Sequence, residues 1–235
     1  MKALVSIVSF IALLLVTLPG PLYKYQIMEL GTAFTGFRYA VFVGAAALIL
    51  LAVQVIFMRR SVSLIPATLA TLFAVIAIAM PLSMMNKAKS VPAIHDISTD
   101  VMNPPEFIAI APLRKDAPNP ITYEGADIAA QQLRAYPELK SLKLSQSQEE
   151  IISASKKAIA ALGWELVNVN VNTGQIEATD TTFWYGFKDD IVIRIEDKAM
   201  QRIVDIRSKS RVGRSDLGKN AQRIHAFITE LNTSL

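Results

Sequence analysis

The sequence predicts an α+β protein on a membrane anchor. Three N-terminal transmembrane helices precede a two-layer domain in which an antiparallel four-stranded sheet carries two helices on one face. Three observations predict it. Long apolar runs without a charge fill most of the first 90 positions, and six prolines crowd residues 86–123. Beyond 145, short alternating segments are bracketed by two helical stripes. Charge divides the same way. Residues 1–90 hold seven Lys/Arg and one acid, Glu29, whereas residues 91–235 hold seventeen basic and nineteen acidic side chains. The membrane third is therefore +6 and the remainder −2, so the positive balance belongs to the membrane third, which removes nucleic acid as the reason for it. With no cysteine there is no disulfide framework, thiol nucleophile or Cys-ligated zinc.

The anchor comprises residues 1–90, with helices expected over about 3–18, 39–58 and 62–85. A span needs about 20 apolar residues. The second and third runs meet this, while the first, Ala3–Leu18, is sixteen residues long and competes with a cleaved signal peptide. Leu18-Pro19-Gly20-Pro21 offers no small-x-small cleavage site, which favours a retained helix. Arg59-Arg60-Ser61 is a tight hairpin turn between the second and third spans. Lys/Arg counts on the two sides tie, and the arginine pair, unopposed by any acid, favours a cytoplasmic N-terminus and an extracytoplasmic C-terminal domain. Pro66 and Pro81 are placed near the two ends of the third span, where proline costs a helix least. No Asp, Glu, Lys, Arg or His falls within the runs, which argues for an anchor over an ion-coupled transporter.

Residues 91–144 form a Pro-rich extended strap or linker; proline at this density opposes helix and favours extended chain. Its apolar scraps, such as Phe107-Ile108-Ala109-Ile110, suggest a strap on a domain surface or an edge strand. His95, Asp96 and Asp100 make a poor metal set, and Asp100–Asn103 reads as turn chemistry.

The soluble α+β domain occupies residues 145–235. Ser147 and Glu150 form a capping box ahead of the stripe Ile151, Ile152, Ser155, Ala158, Ile159 and Leu162, and Gly163 supplies a left-handed stop. Trp164–Val171 and Gln175–Thr181 flank the turn tripeptide Asn172-Thr173-Gly174. Ile191, Ile193 and Ile195 alternate with Val192, Arg194 and Glu196. After a turn at 197–201, Val204 and Ile206 alternate with Asp205, Arg207 and Lys209. Pairing Ile195 with Val204 sets Arg194 opposite Asp205 and Asp190 opposite Lys209, a register favoured by opposite charges. Ser215 is expected to cap a last helix with the stripe Leu217, Ala221, Ile224, Ile228 and Leu231. The charged face of the sheet is left toward solvent, the strap or a partner.

Several strings resemble a bacterial family called domain of unknown function 1499. They include Ile94-His95-Asp96-Ile97-Ser98-Thr99-Asp100, Ala117-Pro118-Asn119-Pro120, Gly163-Trp164-Glu165 and Ile176-Glu177-Ala178-Thr179. The most specific are the run Phe183–Asp190, reading FWYGFKDD, and the run Arg207–Gly218, reading RSKSRVGRSDLG. The resemblance extends from about 91 to 232, and the N-terminal helices are similar to those of the longer, membrane-anchored members. It implies no activity.

Two constellations could carry chemistry. Arg207, Lys209, Arg211 and Arg214 lead into Ser215-Asp216 at a helix start, a pattern suited to an anionic group. The plainer reading pairs these cations with Asp189, Asp190 and Asp205. Phe183, Trp184, Tyr185 and Phe187 form an aromatic loop suited to lipid, a partner or a ligand, or else to covering the sheet edge and holding the strap. Catalytic signatures are weak: no serine has a Gly-x-Ser-x-Gly context, neither His95 nor His225 is placed to suggest a triad, and there is no P-loop or dinucleotide glycine pattern. No catalytic residue, metal or cofactor is assigned. The expected protein is a multi-pass inner-membrane protein whose extracytoplasmic domain is a binding or assembly module. Its partners would be the bilayer and a membrane or envelope protein or anionic group. The alternative is a cell-envelope enzyme using a cleft between the 183–187 loop and the 207–214 run.

Overall fold

The computed structural model describes residues 1–198 and 200–235. The chain forms two units, Met1–Lys89 with Phe183–Gly186, and Ser90–Thr182 with Phe187–Leu235.

In the first unit, α1 (Lys2–Thr17) runs on through α2 (Pro19–Lys24) as one apolar span. It is followed by α3 (Leu30–Phe57) and α4 (Leu64–Ser90). All three are long and apolar enough to cross a membrane. The sequence reading cut the second helix short. α3 begins at Leu30, nine residues before the uncharged run, and takes Arg38 into its first turns. A charge ends an apolar run but not a helix whose end reaches water. The third helix likewise continues to Ser90, so Pro81 lies inside it instead of near its end. Arg59–Ser61 is a single 3₁₀ turn, as its length demanded. Small buried residues line the helix interiors: Ala12, Ala33, Ala40, Gly44, Ala47, Ala74 and Ala77. At Gly44 an added Cβ would come within 3.0 Å of Ile78 and 3.1 Å of the Ala74 carbonyl.

The second unit corrects the four-stranded expectation: its antiparallel sheet has six strands. The four expected strands are β3 (Glu165–Asn170), β4 (Gln175–Thr181), β5 (Lys188–Lys198) and β6 (Gln201–Ser210). The strap adds β1 (Asp96–Ser98) and β2 (Leu142–Leu144), both pairing with β6. The spatial order is β1-β6-β5-β4-β3, with β2 beside β1 along β6. The expected β5–β6 register is found: Ile195 faces Val204, Arg194 faces Asp205 and Asp190 faces Lys209. Of the turn at 197–201, residue 199 lies outside the described residues. The strap is also less extended than its prolines suggest. It contains a 3₁₀ turn at Ala111–Arg114 and the helix α5 (Ala126–Ala135), which falls in a proline-free stretch. Gln132 of α5 is buried; its amide accepts from the Ser98 N–H and donates to the Ser98 carbonyl, finishing the outer edge of β1 as a strand would.

Helix α6 (Gln148–Ala161) starts with the full Ser147/Glu150 capping box and stops at Gly163, whose φ is +72°. Helix α7 (Lys219–Ser234) starts four residues after Ser215. Leu217 and Gly218 adopt left-handed φ values, so the chain turns once more before the helix begins. Asp216, not Ser215, serves the helix start, its carboxylate accepting from the N–H groups of Gly218 and Asn220. α6 and α7 cover one face of the sheet. Ile151, Ile159, Ile176, Ile191, Ile193, Ile206, Ile224 and Phe227 form its core, with Trp164 stacked on Phe227 at 6.0 Å.

Candidate functional site

The opposite sheet face is charged and yet buried. Alternation sends Glu177 and Thr179 of β4, Asp190 of β5, and Asp205, Arg207 and Lys209 of β6 away from the helices, and all six are buried. Their cover is the strap. A Pro-rich segment makes few backbone hydrogen bonds of its own, so its carbonyls need donors from elsewhere. The sheet supplies them. Arg207 donates to the carbonyls of Pro105 and Ile121, Lys209 to Thr122, and Arg211 to Leu113. In the reverse sense the Glu177 carboxylate accepts from three successive N–H groups, Ile108, Ala109 and Ile110, at 2.8–3.0 Å. The apolar scrap 107–110 is therefore a backbone nest around a sheet carboxylate.

Two buried carboxylates organise the cations. Asp96 on β1 takes a bidentate pair from Arg207 and a third bond from the Lys209 ammonium at 2.8 Å. The Arg207 guanidinium also lies between the Phe107 and Tyr123 rings, 5.0 and 5.4 Å from their centroids. Asp190 on β5 takes a bidentate pair from Arg211, a bond from Arg114 and a hydroxyl bond from Thr179. Burial lowers the Lys209 pKa against the pull of Asp96, and burial likewise lowers that of Arg114. His95 Nε2 sits 3.2 Å from Glu124, with Lys209 3.8 Å from the same carboxylate. Asp100 makes the expected turn, accepting from Met102 and Asn103, and also pairs with Arg194.

The structure thus places the sequence-derived site residues in three settings. Arg207 and Lys209 are interior and held by Asp96, a residue more than a hundred positions away. Arg211 is mostly enclosed and held by Asp190. Arg214 is exposed and has no ion pair among the described residues. Ser215 accepts from the Leu217 N–H and stays outside the helix. Of the other aspartates, Asp205 pairs with Arg194, while Asp189 pairs with Arg223 of α7. Arg223 also holds Asp180 and has no counterpart in the sequence reading. Its signal was available: an arginine on the buried stripe of an amphipathic helix calls for a carboxylate partner.

The aromatic loop divides. Thr182 and Phe187 clasp one another, the Thr182 N–H donating to the Phe187 carbonyl and the Phe187 N–H to the Thr182 hydroxyl. The four residues between them belong to the first unit. There Tyr185 packs among Tyr23, Phe34 and Phe37, with centroids 6.1–6.3 Å apart. Trp184 lies on Gly20, where an added Cβ would collide with the indole. Phe183 is 83% exposed beneath the Lys24 ammonium. These three rings pack on helices of the anchor, not on the strap. Among the described residues, no cluster of three or more metal-ligating side chains occurs.

This is a membrane protein with an α+β unit whose sheet has one oily face and one ion-paired face, the latter roofed by a Pro-rich strap. The family model described as "Protein of unknown function (DUF1499)" matches residues 96–231, and the chain belongs to that family. The match starts at Asp96 and so takes in the strap with the sheet it covers. No curated protein matches the chain.

Proposed function

We propose that the chain is an integral inner-membrane protein whose extracytoplasmic α+β unit works as a binding or assembly module for an anionic group or protein partner. The observation that carries the reading is a cationic rim where the strap meets the ends of β5 and β6. Arg211 N–H bonds the Lys188 carbonyl, the Arg211 guanidinium bonds Leu113, and Asn119 bonds Gly213. These bonds gather segments 113–119, 188 and 211–214. Lys115, Lys188 and Arg214 are exposed on them, and none has an ion pair among the described residues. The fully bonded Arg211 holds the rim rigid, and the free cations are available to a partner. Orientation is supported by the anchor. The Lys2 ammonium bonds Ser63, which brings Lys2 to the same end of the helices as Arg59 and Arg60.

One experiment tests both parts. A membrane-impermeant amine crosslinker is applied to intact spheroplasts carrying the full-length wild type or the Lys188→Glu/Arg214→Glu variant. Discrete adducts without permeabilisation are expected for wild type, and at least about tenfold fewer for the variant, since reversing the charge of a rim sets it against an anionic partner. Adducts formed only after permeabilisation would overturn the orientation. Adducts unchanged by the charge reversal would overturn the cationic rim.

A further inference from the structure

We propose that the membrane unit holds a headgroup site for a phospholipid with a primary amine, the phosphate meeting Lys24 and the amine meeting Glu29. The turn between α2 and α3 encloses an open cavity of about 570 Å³ lined by Tyr23, Lys24, Ile27, Met28, Glu29 and Tyr185. That volume suits a small polar ligand. Its depth suits a lipid. The first span covers 23 residues, Lys2–Lys24, or roughly 34 Å at 1.5 Å per residue, against about 30 Å of hydrocarbon. Residues 24–29 therefore emerge at the headgroup level. Ile27 of the lining is 73% exposed, and Tyr25, next to Lys24 in the chain, and Phe183, in contact with Lys24, are 70% and 83% exposed, an aromatic and apolar group of interfacial kind.

The charges select the headgroup. Glu29 is the sole Asp or Glu among the first 90 residues. It is exposed, and neither it nor Lys24 has an ion pair among the described residues, although both line this cavity. Lys24 is fixed at the rim by donating to the Phe183 carbonyl at 3.0 Å and by lying 5.3 Å over the Phe183 ring. An ammonium has three donors, so two remain for phosphate oxygens. A carboxylate and an ammonium that share a cavity without touching complement a zwitterion, phosphate on one side and amine on the other. A choline headgroup has no N–H to give Glu29, and a glycerol headgroup has no positive charge.

The test uses the detergent-purified full-length protein, delipidated and then incubated with an equimolar mixture of phosphatidylethanolamine, phosphatidylcholine and phosphatidylglycerol of identical acyl chains. Co-purifying lipid is quantified by mass spectrometry. Wild type should retain phosphatidylethanolamine at least about fivefold over each competitor, the discrimination expected of one charge-assisted hydrogen bond. Glu29→Gln should abolish the preference over phosphatidylcholine, Glu29→Asp should keep part of it, and Lys24→Met should lower retention of all three. Equal retention by wild type, a preference for phosphatidylglycerol, or an unchanged preference in Glu29→Gln would each overturn the site. The result is independent of the cationic rim on the other unit.

Discussion

The two faces of the sheet are buried by opposite means. On one, Val204 and Ile206 of β6 disappear beneath α6 and α7 into a core of aliphatic side chains. On the other, the intervening Asp205, Arg207 and Lys209 disappear beneath the strap, whose covering stretch 105–123 has a single 3₁₀ turn as its regular structure. An apolar face accepts any close-packing cover, because dispersion and water exclusion have no direction. A charged face accepts only a cover whose polar groups meet its own, because a buried charge left unpaired is costly. The strap therefore has a unique seat. Its carbonyls lie where Arg207, Lys209 and Arg211 donate, its N–H groups 108–110 converge on Glu177, and its Arg114 reaches Asp190. A chain too rich in proline to order itself is ordered by the sheet.

The largest expected effect tests whether that seat depends on pairing. Asp96→Asn leaves Arg207 and Lys209 buried with one neutral acceptor, and should cost about 3–5 kcal/mol. Phe227→Ala on the helix face should cost about the same through a cavity. The two differ in what is released. Trypsin should cut after Arg114 and Lys115 in Asp96→Asn under conditions where Phe227→Ala remains intact there. Thermal melts of the full-length protein in detergent, followed by Trp164 fluorescence in a Trp184→Phe background, give the stabilities. Equal strap protection in both variants would break the contrast between the faces.

A smaller effect sharpens it within three residues. Arg211→Ala removes a bidentate partner from buried Asp190 but leaves Arg114 and Thr179 in place, so about 2 kcal/mol should be lost. Arg214→Ala, at an exposed and unpaired position, should change stability by less than about 0.5 kcal/mol. Melting temperatures of the two variants check the order. Comparable losses would mean that Arg214 has an interior role.

The helix face was legible in the sequence residue by residue, whereas the strap was legible only as one of three possible covers for the charged face, beside solvent and a partner. The capping box, Gly163 and the stripe of α6 are local signals within seventeen residues, Ser147–Gly163. The β5–β6 register could be read because its charged pairs face each other across one hairpin. Asp96 and Arg207 are more than a hundred residues apart, and nothing in either local pattern points to the other. The alternation of Asp205, Arg207 and Lys209 reads equally well as a solvated face, since period two reports which side a residue takes and not what covers it. β1 and β2 are three residues each, too short for periodicity, and exist only because β6 offers an edge. α5 was hidden by its Pro-rich neighbours, although residues 126–135 contain none. The start of α7 was misplaced because Ser215 is a good cap by type, while two consecutive left-handed residues delay the helix to Lys219. At the site, the arginine run was legible as cations and its partners only partly so. Asp190 was named for it, and Asp96 was not.

The smallest effect concerns Tyr123, whose ring lies against the Arg207 guanidinium. Its hydroxyl is buried with no hydrogen-bond partner among the described residues. Burial, reinforced by the negative charge of Asp96, pushes its pKa up to about 12, against about 10 in an unfolded chain. Between those values the folded protein keeps a proton that the unfolded chain has released, so stability falls as pH rises through the window. Tyr123→Phe removes this dependence. Because the residue is only half enclosed, the change in slope should be smaller than the whole shift implies. At neutral pH the variant also loses an unsatisfied hydroxyl and should match wild type or exceed it by up to about 1 kcal/mol. Burial also raises Tyr136 and Tyr185, the latter to about 12, so spectrophotometric titration of the six tyrosines should show one fewer late-ionising group in Tyr123→Phe than in wild type. If the variant retains the wild-type late phase, Tyr123 is not enclosed between the strap and the sheet, and the ion-paired face is open to water at that corner.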